Sequence, residues 1–293
     1  MIIDYKYHIA SLVAVFLALG IGILIGSTML GNDALIEYQK QVTDRLENQL
    51  QSLRETNDTI EAKASDLEID TSRHQQFEKE VLPALVHARL ADKKFALLEL
   101  NGYGSPPEIS GIINDAGGEV VSVTSINSIY DNPATITELA TALGWQESDA
   151  EQNLRRMAVE LSTGIVTAEN VASMELLKEK DVIETSGAYG MPVDGLIIAG
   201  GGYGENKRNV QFDLHVIDYF EELNIPVLGV EETEANYSSI KDYQRKHIST
   251  VDNIDTASGQ LAMVLALSGQ PGNYGVKSTA QSLMPEIHMA GDQ

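Results

Sequence analysis

Cysteine is missing from this chain altogether. Disulfides, thiolate zinc sites and cysteine nucleophiles are therefore excluded, and any metal must be held by histidine, methionine or carboxylate. Positive charge is scarce as well, with 20 Lys and Arg against 43 Asp and Glu and a formal net charge of −23. A surface of that sign repels phosphate backbones and anionic head groups, which argues against nucleic-acid binding and against a polybasic lipid patch. Catalytic signatures are lacking too: no G-x-S-x-G elbow, no H-E-x-x-H and no G-K-[ST] occurs, so no catalytic residue is assigned. Between Asp33 and Val81 there is neither proline nor glycine, and nothing there interrupts a helix.

What is present begins with the longest apolar run, Ile9–Leu30, which carries no charge. As a helix it reaches about 33 Å, enough to cross a hydrocarbon core. It is longer than the apolar region of a removable signal peptide, and Gly26-Ser27-Thr28-Met29-Leu30 makes a poor cleavage site, so the reading is an uncleaved signal anchor. Ala10, Ala14, Ala18, Gly22 and Gly26 fall on one face, where small residues let two helices approach closely in lipid. Lys6 precedes the span, while the next bases, Lys40 and Arg45, lie well beyond it. That bias puts the N-terminus in the cytoplasm and the rest of the chain outside it.

A heptad pattern follows. Leu46, Leu53, Ile60, Leu67, His74 and Val81 form one column, and Leu35, Val42, Gln49, Thr56, Lys63, Asp70 and Phe77 form its companion. These columns predict a coiled-coil stalk about 70 Å long, ended or kinked at Pro83. An unpaired stalk would leave the leucine stripe in water, so a parallel homodimer is expected through Ala14, Ala18, Gly22 and Gly26 in the membrane and Leu46, Leu53, Ile60 and Leu67 above it.

Beyond one more short helix at Ala84–Ala91 the pattern changes. Lys94–Leu100, a turn-rich loop, a helix at about Pro107–Ala116 and a strand at Glu119–Thr124 make a βαβ unit, hence a parallel sheet. Three helices fill Asp131–Lys180, and their polarity suggests an insertion on the sheet edge or against a partner. Gly195–Ala199 is apolar without alternation and reads as a central strand; Pro226–Val230 and Ile248–Val251 supply two more, with helices at Asn209–Leu223 and Ala257–Leu267. The fold class is α/β: an N-terminal transmembrane helix, a coiled-coil stalk, then a Rossmann-like domain with a mainly parallel sheet. The divisions are 1–31 for the anchor, 32–82 for the stalk, 83–268 for the α/β domain with its helical insertion at 131–180, and 269–293 for a tail without assigned elements.

Chemistry is sparse. Gly200-Gly201-Gly202-Tyr203-Gly204 follows a strand and precedes a helix, as an anion cradle would, but Glu205 stands where the third glycine of a dinucleotide fingerprint belongs. A tight structural turn is the reading taken. His215 lies near Asp213 and Asp218 on a helix without a nucleophile beside it and reads as a partly exposed surface histidine. Met284, His288 and Met289 cluster in the tail with soft thioether and imidazole donors of the kind copper selects, and His74 sits in the stalk seam. In Val251-Asp252-Asn253-Ile254-Asp255, Asp255 or Thr256 is expected to cap the Ala257–Leu267 helix, the alternative being a carboxylate ligand site at the sheet's carboxyl edge.

Taken together, Tyr7-His8, the anchor, Val251–Asp255, Gly259-Gln260 and Asn273-Tyr274-Gly275 resemble the MctB-like copper-transport outer-membrane protein family, and the likeness runs through most of the chain. It implies a non-enzymatic part in copper transport or homeostasis. It carries over no set of ligand residues. The short buried strands do not suit an outer-membrane barrel, and some relatives are viewed as cell-envelope or division-site scaffolds that work with a cytoplasmic partner to regulate peptidoglycan hydrolysis.

Overall fold

The computed structural model describes residues 5–100, 108–127, 133–145, 149–167, 169–203 and 210–286. Two compact units divide after residue 74. The first consists of most of one helix, α1 (Tyr5–Val86). Its stretch Tyr5–Met29 is long and apolar enough to cross a membrane, and none of it is buried within the chain. At 1.5 Å per residue that stretch reaches about 37 Å, more than a hydrocarbon core requires. Ser11 donates to the carbonyl of His8 at 3.2 Å and Thr28 to that of Leu24 at 3.0 Å, so both hydroxyls are satisfied within the helix. Further along, Leu46, Leu53, Ile60 and Leu67 are 53%, 66%, 58% and 67% exposed.

In the second unit α1 meets a core. Leu82 and Val86 are buried, and the helix runs through Pro83 to Val86 instead of stopping before it. A proline so near the end removes one main-chain bond from a terminal turn, which costs little where the same turn packs apolar side chains. The separate helix expected over Ala84–Ala91 does not form: Ala88 takes a left-handed conformation (φ 58°), and the Leu90 N–H bonds to the Ala116 carbonyl at 2.8 Å.

The βαβ unit follows as β1 (Lys94–Glu99), α2 (Glu108–Asp115) and β2 (Glu119–Ile126). Then come α3 (Pro133–Ala142), α4 (Ala150–Val166) and α5 (Val171–Glu179), and after them β3 (Ile183–Gly187), β4 (Gly195–Ala199) and α6 (Gln211–Glu222). The chain continues through β5 (Val227–Val230), α7 (Ile240–Gln244), β6 (Ser249–Val251), α8 (Ala257–Leu267) and β7 (Asn273–Tyr274). The sheet order is β3-β2-β1-β4-β5-β6-β7, parallel throughout except for β3, which pairs antiparallel with β2.

Alternation along the central strands sorts the core into two layers. Leu196 and Ile198 of β4, with Ala96 and Leu98 of β1, face Leu161 of α4 and Val216 and Phe220 of α6. Ile197 and Ala199, with Phe95 and Leu97, join Ile113 of α2, Leu261 of α8 and Val86. Helices on both faces explain why GLIIA has no polar position: both sides of the strand are inside. Within the Asp131–Lys180 stretch, α4 buries Leu154, Met157, Ala158, Leu161 and Ile165 in the core it shares with the sheet and α6.

Candidate functional site

In an open parallel sheet, ligands lodge at the carboxyl ends of the strands, above the point where strand order reverses. Here that point lies between β1 and β4. The residues that leave the strands at this edge are acidic or small: Glu99 from β1, Gly200 and Gly201 from β4, Glu231 from β5, Asp252 and Asn253 from β6. Glu99 is buried and accepts from the Ser125 hydroxyl at the end of β2.

The glycine turn is occupied by its own protein. The Gly200 N–H bonds to the Val230 carbonyl at 2.8 Å and the Gly201 N–H to Ser239 Oγ at 3.2 Å. Behind Gly200 lies the ring of Tyr243, where a side chain at position 200 would collide, and Tyr243 in turn donates to buried Asp213 at 2.5 Å. Gly201 holds a left-handed conformation (φ 75°) that glycine adopts freely. These two amides are spent on the fold, and the neighbouring side chains are carboxylates, so the described part of this turn does not cradle an anion. Gly204 and Glu205 lie outside the described residues.

Glu231 is the centre of the edge. Its side chain is wholly buried and accepts from Lys277 Nζ at 2.6 Å, Ser238 Oγ at 2.6 Å and the Ser239 N–H at 3.0 Å. Lys277 also donates to the Glu232 carbonyl at 3.0 Å. One residue after β6, Asp252 accepts from the Val276 N–H at 2.7 Å and the Lys277 N–H at 3.1 Å. A side chain on Gly275 (φ 136°) would overlap that carboxylate, which is why glycine follows Asn273-Tyr274. Two carboxylates and one ammonium thus clasp the segment after β7 to the sheet. Sequence reading missed Lys277; its signal was that no other Lys or Arg follows Lys246 in so acidic a chain.

Around the clasp the acid density shows in Tyr203, whose hydroxyl donates to Glu232 and whose pKa is pushed up to about 12 by that bond and by the nearby charges of Asp255 and Glu234. Asp255 does not cap α8. It accepts from the Thr233 N–H at 2.8 Å and Thr233 Oγ1 at 2.9 Å, fastening the loop after β5. The cap is Thr256, whose hydroxyl accepts from the Gly259 N–H at 3.1 Å. Asn253 Oδ1 is buried without a hydrogen-bond partner among the described residues, against Gly259.

Of the copper candidates, Met284 packs, half-buried, beside Leu261 of α8 and Leu82 and Leu85 of α1, while His288 and Met289 lie outside the described residues. His74 is exposed on α1. His215, on α6, is half-buried, and burial moves its pKa down, with Asp218 opposing and Arg155 and Lys246 assisting. Among the described residues no group of three or more His, Asp and Glu is placed to hold a metal.

Compared with known proteins, residues 2–285 match the family described as copper transport outer membrane protein, MctB. No curated protein matches the chain.

Proposed function

Because the chain belongs to the MctB family of copper transport outer membrane proteins over nearly its whole length, we propose that it serves copper homeostasis as a non-enzymatic protein held to a membrane by one helix per subunit. The match at residues 2–285 carries this reading, since it takes in the apolar helix, the rest of α1 and the sheet together. The described sheet is open, mostly parallel and covered by helices on both faces. A transmembrane barrel is instead a closed antiparallel wall with an apolar exterior, so the anchor in this reading is Tyr5–Met29. Lys6, at the very start of that span and ahead of its uncharged run Ile9–Leu30, supports a cytoplasmic N-terminus and an α/β domain on the far side. Two copies pair in parallel through Ala14, Ala18, Gly22 and Gly26 and through Leu46, Leu53, Ile60 and Leu67; the exposure of those four stalk side chains in the single chain supports the pairing.

Direct copper ligation is assigned to Met284, His288 and Met289, whose thioethers and imidazole suit Cu(I). A second reading is a cell-envelope or division-site scaffold that works with a cytoplasmic partner to regulate peptidoglycan hydrolysis, favoured by the long exposed apolar stripe on α1. One experiment separates the two. The full-length protein is purified from membranes in detergent, its metal content and bound proteins are measured, and Cu(I) is titrated against wild type and the combined Met284→Leu, His288→Ala, Met289→Leu variant. Copper handling requires tight Cu(I) binding that the variant loses and copper sensitivity in cells lacking the protein. Unchanged growth in copper, no bound metal and a stoichiometric protein partner would remove the copper reading and leave the scaffold.

A further inference from the structure

The two heptad columns do not stop at the end of the stalk. Phe77 continues the Val42–Asp70 column and Val81 the Leu46–His74 column, on a helix that is unbroken through both. At that level, within the second unit, α1 no longer faces water on every side. Phe77, Val81 and Leu85 of α1 and Ala257 and Leu261 of α8 line an open groove of about 180 Å³, together with Met284. Leu261 belongs to the core beneath, yet Phe77 remains 64% exposed.

We propose that this groove receives Phe77 of a second copy of the chain, so that the dimer interface runs from the stalk onto the α/β domain; this rests on the paired-stalk reading above. Three observations select that occupant. Size is the first: a cavity of about 150 Å³ walled by aliphatic and aromatic side chains holds a benzene ring, so an open groove of about 180 Å³ has room for one benzyl side chain. Register is the second. In a parallel, unstaggered pair each core position meets its own counterpart, and the partner's aromatic ring therefore arrives at the level of the groove without any slip.

Charge is the third. With Val81 and Phe77 as the alternating core positions, Arg73 and Glu78 take the flanking places that meet across a parallel pair, one heptad apart. The other flanking pairs of the stalk, Arg45 with Leu50, Ser52 with Asn57, Thr59 with Ala64 and Asp66 with Thr71, hold no opposite charges. The ionic complementarity is concentrated beside the groove. Within the single chain Arg73 has Asp70 at 3.4 Å, an exposed pair easily exchanged for a better one. The contact is also self-complementary, as a two-fold dimer demands: each copy gives one Phe77 and offers one groove.

The absence of cysteine allows disulfide mapping without background. Full-length single variants Leu53→Cys, Phe77→Cys, Met284→Cys and, on the α8 wall, Ser258→Cys are made with two tags of different size, co-expressed in pairs and oxidised in membranes. A disulfide needs Cα atoms within about 7 Å. The expected results are self-crosslinking of Leu53→Cys, a mixed dimer from Phe77→Cys with Met284→Cys or with Ser258→Cys, and none from Leu53→Cys with Met284→Cys. Crosslinking of Leu53→Cys without either mixed dimer overturns the groove assignment and leaves the paired stalk standing. A monomeric Leu53→Cys removes the paired stalk itself, and the groove proposal falls with it.

Discussion

Lys277 shows how one side chain can settle a region's character. Glu231 has no exposed side-chain surface, and an unpaired carboxylate there would have neither water nor cation. Lys277 supplies the cation, and its own backbone N–H is held by Asp252, so position, charge and main chain are locked by the same residue. Lys277→Met keeps most of the stem and removes only the ammonium. It should lower the stability of the folded domain by about 3–5 kcal/mol, the range measured when one partner of a buried pair is deleted. Lys277→Arg, which restores a charge with a different shape, should lose less. Denaturant melts of the two variants beside wild type give the comparison, and equal loss in both would mean that shape rather than charge holds the clasp. The same reasoning explains why the carboxyl edge, where a ligand site was one of two alternatives in the sequence, is an internal polar network among the described residues: Asp252, Asp255 and Glu231 each have protein partners already.

At the scale of elements, the helix behind this edge gives a second test. Thr256 caps α8, whereas Asp255, one residue earlier, points its carboxylate to Thr233. Thr256→Ala should therefore cost about 1 kcal/mol and raise hydrogen exchange in the first turn of α8, while Asp255→Ala should loosen the loop at Thr233 and leave that turn protected. The reverse pattern would return the cap to Asp255. Sequence placed a cap here because short polar residues follow an apolar strand, but choosing between adjacent candidates depends on the backbone angle of each, which the sequence does not carry. Elsewhere legibility followed burial. β4 and α8 were legible to the residue because β4 is apolar throughout, α8 is apolar from Leu261 to Leu267, and both are bounded by polar or glycine residues. β3 was not: in IETSG only Ile183 is buried, and the strand exists because β2 offers it an edge. β7, two residues long, is strand only by pairing with β6. The stripe Leu154, Met157, Ala158, Leu161 and Ile165 on α4 is present in the sequence at helical spacing, but the charged residues between its members make the helix polar on average.

For the whole molecule the question is what an acidic chain gains by exposing a long apolar stripe. A formal charge of −23 opposes self-association, and exposed leucines on an isolated helix bury no apolar surface, so the stripe is a cost unless a partner covers it. In the paired reading that partner is the same surface on a second copy, aligned from the small residues Ala14–Gly26 to the leucine column. Burying apolar surface contributes roughly 25 cal/mol per Å², and the contribution of Leu53 and Ile60 disappears if both become charged. Leu53→Asp together with Ile60→Asp places like charges opposite one another at two layers of the seam one heptad apart. The detergent-solubilised variant should run at the mass of a single chain by light scattering while its α/β domain melts as in wild type, since neither residue belongs to that domain's core. Salt adds a second handle, because high ionic strength screens the acidic surface and leaves apolar contacts in place. The wild-type dimer should then tighten as salt rises from low to moderate concentration, whereas the double variant should recover little. A wild-type mass already equal to one chain at every salt concentration would show that the stripe is covered by something other than a second copy.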